Sequence, residues 1–413
     1  MTAMDSPREF TLGARWIIPV EGPPLARGSI TIRDDRVTSL QPHGPRTPDA
    51  DLGEAAILPG LVNAHTHLDL SDLRGKAPPG PDFTRWLRAV ISHRRQRSAE
   101  ETAHAVLAGL DEAVSFGTTL LGDIAGGGFS WNMLQAAPLR AVVFYELLGL
   151  TRSRANTAWA EARAWLSGIT ATPTCKPGLS PHAPYSVRAA LFRAAGQIAR
   201  ARSMSLAVHL AESPDEIELL SHRRGPFVDF LSEIGVWDPP GLARGVNGVL
   251  KIYQGNPNLV LVHANYLSPG VPLPPGATIV YCPRTHAAFG HPPHPVEGFL
   301  AAGVRVALGT DSLASNPDLN LLAEARFLHE RHPAISGAAI IRMATLSGAE
   351  ALGWEDETGS LAPGKSADLV VLPLNRDRHD PHEQVLRSNS QVSAVMFRGR
   401  WVHGGVGRPR PAT

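Results

Sequence analysis

His65 and His67 stand one residue apart at the end of an apolar run, Pro59-Gly60-Leu61-Val62-Asn63-Ala64-His65-Thr66-His67-Leu68. Side chains i and i+2 of a strand point to the same side, so two imidazoles at this spacing can close on one ion. Three later apolar runs also end in a residue able to ligate a metal or move a proton. Ser205 to His209 continues into Leu210-Ala211-Glu212, Leu259 to Val262 ends at His263, and Val304 to Thr310 ends at Asp311. Each reads as a strand with a ligand or a base at its C-terminal tip. A single histidine says little in a chain that has 17 of them, but the set taken together is specific.

His65, His67, His209 and Asp311 offer three nitrogens and one carboxylate oxygen, suited to one Zn²⁺ or Fe²⁺ with a position left for water. Such an ion lowers the pKa of bound water from about 15.7 toward roughly 7, which makes hydroxide available near neutral pH. Glu212 lies three residues beyond His209 and can take a proton from that water and hand it to a leaving group. Its other reading is an acid at the N-terminus of the helix around Pro214. His263 would orient the hydroxide or stabilise developing charge; its other reading is a buried, hydrogen-bonded histidine. His182, in Ser180-Pro181-His182-Ala183-Pro184-Tyr185, ends a further run and is assigned to the substrate instead of the metal.

Side chains so distant in sequence meet only if their strands close into a ring. Apolar runs alternate with helical patterns along the middle of the chain, as in repeated βα units. The eight expected strands are Leu61 to His67, Thr118 to Ile124, Arg140 to Glu146, Pro177 to His182, Ser205 to His209, Leu259 to His263, Thr278 to Cys282 and Val304 to Gly309. Helices are expected over Thr102 to Phe116, Ala155 to Ser167, Val187 to Ala201, Asp215 to Leu220 and Leu319 to His329. Eight units over about 250 residues make a (β/α)₈ TIM barrel, whose sites lie at the C-terminal ends of strands. Short strand-like pieces flank it: Phe10 to Pro19, Gly28 to Arg33 and Arg36 to Gln41 before, Ala367 to Leu372, Val392 to Arg398 and Trp401-Val402 after. Asp34-Asp35 signals a hairpin. Too short to stand alone, these pieces are expected to pair into one small β-sandwich-like domain, with divisions at 1–58, 59–360 and 361–413. Two Pro-rich loops, Ala77 to Pro81 and His291 to Pro295, are placed to shape the pocket or merely to connect.

The 413 residues are 43% hydrophobic and 19% charged, an ordinary globular composition. A formal net charge of +1 gives no footprint for nucleic acid or an anionic membrane. The one notable basic cluster, Arg94-Arg95 with Arg97, reads as the solvated face of a helix. Cys175 and Cys282 fall in different strands and are read as small buried hydrophobes, not a disulfide or a thiolate zinc site. Met1 to Phe10 contains Asp5 and Glu9 and lacks an apolar segment of the signal-peptide kind. No apolar run approaches the roughly 20 residues of a membrane span, so a cytoplasmic setting is expected. No repeat of fixed period and no low-complexity segment stands out, apart from Gly404 to Thr413.

Together these residues resemble the amidohydrolase superfamily, in its mononuclear adenosine/cytosine deaminase-like branch, over nearly the whole chain. Pro59 to His67 is similar to the opening motif, Gly309-Thr310-Asp311-Ser312 to the closing one, and His209-Leu210-Ala211-Glu212 to the ligand and acid/base pair. Gly359-Ser360-Leu361-Ala362-Pro363-Gly364-Lys365-Ser366-Ala367-Asp368-Leu369-Val370 resembles the return into the small β domain. His182-Ala183-Pro184-Tyr185-Ser186 and Asp311-Ser312-Leu313-Ala314-Ser315-Asn316 look like the S-adenosylhomocysteine/5-methylthioadenosine deaminase and chlorohydrolase group. A narrower likeness is to aminodeoxyfutalosine deaminases: Asp69 and Ser71, then Phe83 and Trp86, resemble their pattern, although Asp69 stands where glutamate is more familiar. Tyr281-Cys282-Pro283-Arg284-Thr285-His286 departs from the Ser-Asn ending common after the seventh strand, which bears on substrate and not on metal chemistry.

The resemblance implies hydrolytic deamination of a 6-aminopurine nucleoside-like small molecule. Hydroxide adds to C6, Glu212 protonates the ring nitrogen and then the amine, and ammonia leaves. Asp311 accepts the hydroxide proton and His263 polarises the attacking oxygen. Asp69, Trp86, His182, Glu146 and Arg152 are the candidate substrate contacts; Trp86 reads as well as helix core, and Arg152 as a solvent-facing side chain. Binuclear relatives bridge their ions with a carboxylated lysine at the fourth strand tip. Here Lys176 lies at the opposite end of that strand, so one ion is expected. A homodimer would be ordinary for this architecture. Chlorohydrolase or cyclic amidase chemistry on a similar ring is the alternative, and a non-catalytic barrel is the reading from another class. The deaminase type that holds zinc through a cysteine pair does not fit, because two isolated cysteines lack its spacing.

Overall fold

The computed structural model describes residues 9–42, 47–375 and 380–405. The start, Met1 to Arg8, and the end of the Gly404 to Thr413 tail lie outside them. Eight parallel strands follow one another around a barrel in chain order: Leu61–Thr66, Thr118–Gly126, Arg140–Leu147, Cys175–Pro181, Ser205–Leu210, Leu259–His263, Thr278–Tyr281 and Arg305–Leu308. The ring closes between first and eighth strands, where Thr310 and Asp311 backbone N–H groups both donate to the His65 carbonyl at 3.2 and 3.1 Å. Asn63 seals the same seam, donating to Thr310 Oγ1 at 2.8 Å and accepting from its N–H at 3.1 Å.

Alternate residues fill the interior. Val62, Ala64, Leu120, Val142, Phe144, Ala207, Val260, Val262, Val280 and Ala307 form one buried cluster, capped from below by Leu352 and Trp354. The opposite faces pack on the surrounding helices, as in the cluster that joins Leu206, Val208 and Leu210 to Phe192 and Tyr253. The expected strands match these within one to three residues. The first stops at Thr66 instead of His67, because His67 leads into a short 3₁₀ turn, Leu68–Leu73.

Helix starts follow local chemistry. Ser98 and Glu101 form a reciprocal capping box ahead of Ala99–Ser115. Asp82 accepts from the Arg85 N–H at the start of Phe83–Gln96, and Ser213 caps Pro214–His222 with proline at its first position. The expected helices appear as Ala99–Ser115, Arg152–Gly168, Ala189–Ala201, Pro214–His222 and Leu321–Arg331. Two more, Pro226–Glu233 and Gly245–Ile252, occupy the long connection between fifth and sixth strands.

Segments from both ends of the chain build two further sheets. One runs in the order Arg400–Gly404, Ala394–Phe397, Leu369–Pro373, Ala55–Pro59, Trp16–Ile17, Leu25–Ala26. The other runs Arg36–Gln41, Ser29–Arg33, Glu9–Gly13, Ala50–Asp51, with the expected hairpin at Asp34-Asp35. Leu12, Ile30 and Ile32 of the second sheet share a core with Ile17, Ile57, Leu369 and Met396 of the first. Barrel and sheets are tied by a fully buried ion pair between Arg140, at the start of the third strand, and Asp368, which also accepts from Ser366 Oγ and the Arg398 N–H.

Removing one partner of a buried pair leaves an uncompensated charge, so Arg140→Ala should destabilise the fold by about 3–5 kcal/mol. Asp368→Asn, which keeps an acceptor for Ser366 and Arg398 but turns an NH₂ donor toward the still-charged Arg140, should cost at least as much. The midpoint of urea unfolding reads both; an Arg140→Ala protein as resistant as the parent contradicts the account.

Candidate active site

Strand geometry explains how each functional side chain reaches the mouth of the barrel. On the fifth strand, Ala207 faces inward and His209 repeats it two residues later. Phe144 and Glu146 do the same on the third. On the first strand, Val62 and Ala64 already face inward, so plain alternation would turn His65 and His67 away. One extra residue between Asn63 and Thr66, against Leu121 and Asp123 of the second strand, is a β-bulge that re-aims both histidines. On the sixth strand alternation would also send His263 outward; its left-handed backbone, φ +68°, turns it in.

The result is a tight polar cluster. His65 Nε2 lies 3.4 Å and His67 Nε2 3.7 Å from Asp311 Oδ1, and His67 Nε2 lies 3.3 Å from His209 Nε2. His209 Nδ1 donates to the His182 carbonyl at 3.0 Å, so its Nε2 presents a lone pair to the cluster. Ser315 Oγ donates to Asp311 Oδ2 at 2.7 Å and leaves Oδ1 facing the imidazoles. Both nitrogens of His65, Nδ1 of His67 and Nε2 of His263 are buried without a hydrogen-bond partner among the described residues. Buried imidazole nitrogens that converge on a carboxylate, several of them without a partner, call for a cation. Ligand atoms about 2.1 Å from an ion in a tetrahedron lie about 3.4 Å apart, close to the spacings observed. His65, His67, His209 and Asp311 therefore fit a single divalent metal.

Electrostatics sort the roles. Burial, then the neighbouring imidazoles, hold His67 and His209 well below the ordinary histidine range. Burial pulls His263 down to about 3. Burial pushes Asp311 upward, but His65, His263 and His67 outweigh it and keep its carboxyl low. Glu212 goes the other way: burial, then the Asp311 and Glu216 carboxylates, raise it well above the usual range. Its Oε1 lies 3.3 Å from His263 Nε2. Two carboxyls pushed apart in this way, one ionised and one ready to carry a proton, are suited to acid/base work. Glu216 accepts from the Ala211 and Glu212 N–H groups, both at 3.0 Å, and fixes the turn that carries Glu212.

A cavity of about 330 Å³ opens from this cluster. Glu212, His263, Asp311, His67 and His209 form its floor, Glu146, His182 and Arg94 one polar stretch of wall, and Phe83, Trp86, Leu87, Phe230 and Leu231 an apolar side. Trp86 Nε1 donates to the Ala77 and Ala314 carbonyls, so its ring and not its N–H faces the cavity. Ala77 thus ties the first Pro-rich loop to the wall. The second contributes His294, whose Nε2 donates to the His263 carbonyl at 2.9 Å.

Four expectations change. Arg94 and Arg97 are not a solvated face: Arg94 bridges Asp69 and Glu146 beside the cavity, and Arg97, 6% exposed, holds Asp69 and Asp72. A signal was available, since Trp86, Val90 and Arg94 recur every four residues and so share one helix face. Arg152 is exposed and does not line the cavity, whereas Arg154 does. Two residues apart on a helix, the pair points about 200° apart. Arg284, at the departing seventh-strand motif, faces away from the cavity and is spent on Glu324 and Asp318, each at 2.6 Å. Asp69 lies behind Arg94 and does not itself line the cavity.

Comparison with known proteins agrees with this architecture. The model of the amidohydrolase family matches residues 56–402. A 5-methylthioadenosine/S-adenosylhomocysteine deaminase of Moorella thermoacetica is 31% identical, over 93% of this chain and 91% of that protein. Among solved structures, the aminofutalosine deaminase of Helicobacter pylori in complex with methylthio-coformycin superposes with a TM-score of 0.84 at 23% identity, covering 95% of this chain and all of that one (100%). An adenosine deaminase of Xanthomonas campestris with bound zinc gives 0.80 at 23% identity, over 95% and 92%.

The cluster predicts about one divalent ion per chain by elemental analysis, the stoichiometry of a four-ligand site. His67→Ala and Asp311→Ala should each lose most of it, and a chelator should lower the melting temperature of the parent but not of these variants. A metal-free parent that is indifferent to chelator would refute the assignment.

Proposed function

The chain belongs to the amidohydrolase family, and from that premise we propose that it is a metal-dependent hydrolytic deaminase of adenine-type nucleosides. The observation that carries the reading is Glu212: a buried carboxyl of raised pKa, 3.3 Å from His263 and at the floor of a small-molecule cavity beside the histidine cluster. The relatives named above act on 5-methylthioadenosine, S-adenosylhomocysteine or aminofutalosine by their names, which supports a 6-aminopurine ring on a ribose-like unit. The reading includes Zn²⁺ as the ion held by His65, His67, His209 and Asp311, a cytoplasmic setting and the ordinary possibility of a homodimer.

A divalent cation in that set supplies a Lewis acid that makes water nucleophilic near neutral pH. Asp311, kept ionised, takes the proton released as the oxygen attacks C6. His263, held neutral by burial, orients that oxygen through Nε2. Glu212, protonated in its buried site, donates to the adjacent ring nitrogen and so lets the ring accept the electron pair. Recharged with the proton that Asp311 took, Glu212 then protonates the exocyclic amine; the C6–N bond breaks as ammonia leaves, and the last proton of the attacking oxygen returns Glu212 to its starting state. The apolar side of the cavity, with Trp86 and Phe83, suits the face of a purine. His182 and Glu146 are left for polar groups beyond the ring.

Glu212→Gln should lower ammonia release by about 10²–10⁴-fold while leaving the metal in place. The assay uses adenosine, 5-methylthioadenosine, S-adenosylhomocysteine, aminodeoxyfutalosine and guanine, with a chlorinated heterocycle as contrast. Ammonia from none of the amino compounds, or chloride from the contrast alone, would overturn the deaminase reading.

A further inference from the structure

The turn that aims His263 at the cavity has two consecutive left-handed residues, His263 at φ +68° and Ala264 at φ +53°. Part of it is secured by the neighbouring strand tip. The Ala264 N–H donates to the Leu210 carbonyl at 3.1 Å, the Tyr266 N–H to the Ala211 carbonyl at 2.9 Å, and Asn265 Nδ2 to the Glu212 carbonyl at 2.9 Å. The His263 carbonyl is held from another quarter, by His294 Nε2 at 2.9 Å.

His294 belongs to the Pro-rich run His291-Pro292-Pro293-His294-Pro295. Proline fixes its own φ and biases the residue before it toward extended backbone, so the run is stiff. It meets the His263 turn twice, since His291 Nδ1 lies 3.1 Å from the Tyr266 hydroxyl. The His294 ring is buried and stacks on Tyr281, with centroids 3.9 Å apart and planes 16° apart; His286 stands nearly perpendicular to it at 5.6 Å. Burial pulls His294 down to about 3, so the ring is neutral and carries one N–H. That proton goes to the His263 carbonyl, and Nδ1 is left buried without a hydrogen-bond partner among the described residues. A phenyl ring could fill the same slot with no lone pair to bury. What the imidazole adds is the donation to His263.

We propose that His294 is a positioning residue: by holding the His263 carbonyl it keeps the left-handed turn in place, and with it His263 Nε2 beside Glu212, and the Pro-rich loop is the strut that carries it. Without that restraint, relaxation of the turn to extended backbone sends His263 outward by plain alternation. The consequence for rate rests on the deaminase reading, in which His263 orients the attacking oxygen. It adds to that reading a group that does not line the cavity and on which turnover depends.

In the metal-loaded enzyme, His294→Phe should lower kcat for ammonia release about tenfold, the factor one lost neutral hydrogen bond can supply, with KM within about twofold of the parent and metal content unchanged. His294→Gln, whose amide nitrogen stands about as far from the backbone as Nε2, should recover most of the loss. Added to His263→Ala, His294→Phe should lower kcat by no more than about a further twofold, because residues that act as one unit do not add. Crystals supply the arm that needs no turnover: His263 Nε2 should face Glu212 in the metal-bound parent and swing away in His294→Phe. Neutron diffraction from the parent should place the His294 proton on Nε2, a result that depends on no variant folding. An unchanged kcat or an unmoved His263 ring in His294→Phe, an equal loss in His294→Gln, a full effect on top of His263→Ala, or a proton on Nδ1 would overturn the proposal. A parent that releases no ammonia from any amino compound, with His263 displaced in His294→Phe, would instead overturn the deaminase reading and leave this one standing.

Discussion

Three buried imidazoles and a carboxylate, with ring nitrogens and carboxylate oxygen 3.3 to 3.7 Å apart, are the constraint on which the rest of the molecule depends. Such a set is unfavourable in a protein interior unless a cation compensates it, and it forms only where rigid backbone forces the side chains together. The forcing element is the barrel seam. The His65 carbonyl takes both the Thr310 and Asp311 N–H groups, so the contacts that close the ring also set His65 against Asp311. Closure and metal site are one arrangement. Gly309 lies in the same seam, where a Cβ would fall 2.9 Å from His65 and from Val280.

The site is also where the backbone departs from regular strand. Ala211, His263 and Asp311 all take left-handed conformations, with φ of +54°, +68° and +57°. Each such residue costs on the order of 1–3 kcal/mol and persists only where its surroundings hold it. Each has its own restraint here. Glu216 clamps the Ala211 and Glu212 N–H groups, His294 donates to the His263 carbonyl, and Thr66 Oγ1 donates to the Asp311 carbonyl at 3.0 Å. The turns aim Glu212, His263 and Asp311 into one volume, at tips where plain strand alternation would scatter them.

This division explains what could be read from the residues alone. The eight strands, their order and the metal-capable tips were legible, because apolar runs ending in histidine or aspartate are local patterns. That pieces from the two ends pair was legible as well, since segments too short to stand alone must find partners, but Ala55–Pro59, the strand that Leu369–Pro373 joins, was not among the expected pieces. The bulge after Asn63 and the left-handed turn at His263 were not, because both are set by neighbouring strands and leave no periodic mark. Arg94 was misjudged for a related reason. A run of arginines on a helix looks solvated until Asp69 and Glu146, contributed by two other segments, are seen to converge on it. Arg152 and Arg154 show the limit of resolution: charge density near a strand end was evident, but which of two arginines turns inward depends on helix phase.

The cavity joins two parts with different obligations. Its floor is built from strand tips locked by the seam and the restrained turns, so the chemistry there has little freedom to vary. One side of its wall comes from the helix Phe83–Gln96, anchored by the Asp82 cap, by packing of Phe83 on Tyr185, Phe227 and Phe289, and by Arg88 on Glu233. Along one face that helix presents Trp86, Val90 and Arg94, an aromatic, an aliphatic and a charged group one turn apart. None of these side chains belongs to the cluster of His65, His67, His209 and Asp311, which comes from the strand tips. The cavity thus sets an apolar, helix-borne face beside a polar, strand-borne floor, and Arg94 joins the two by reaching Glu146 at the tip of the third strand.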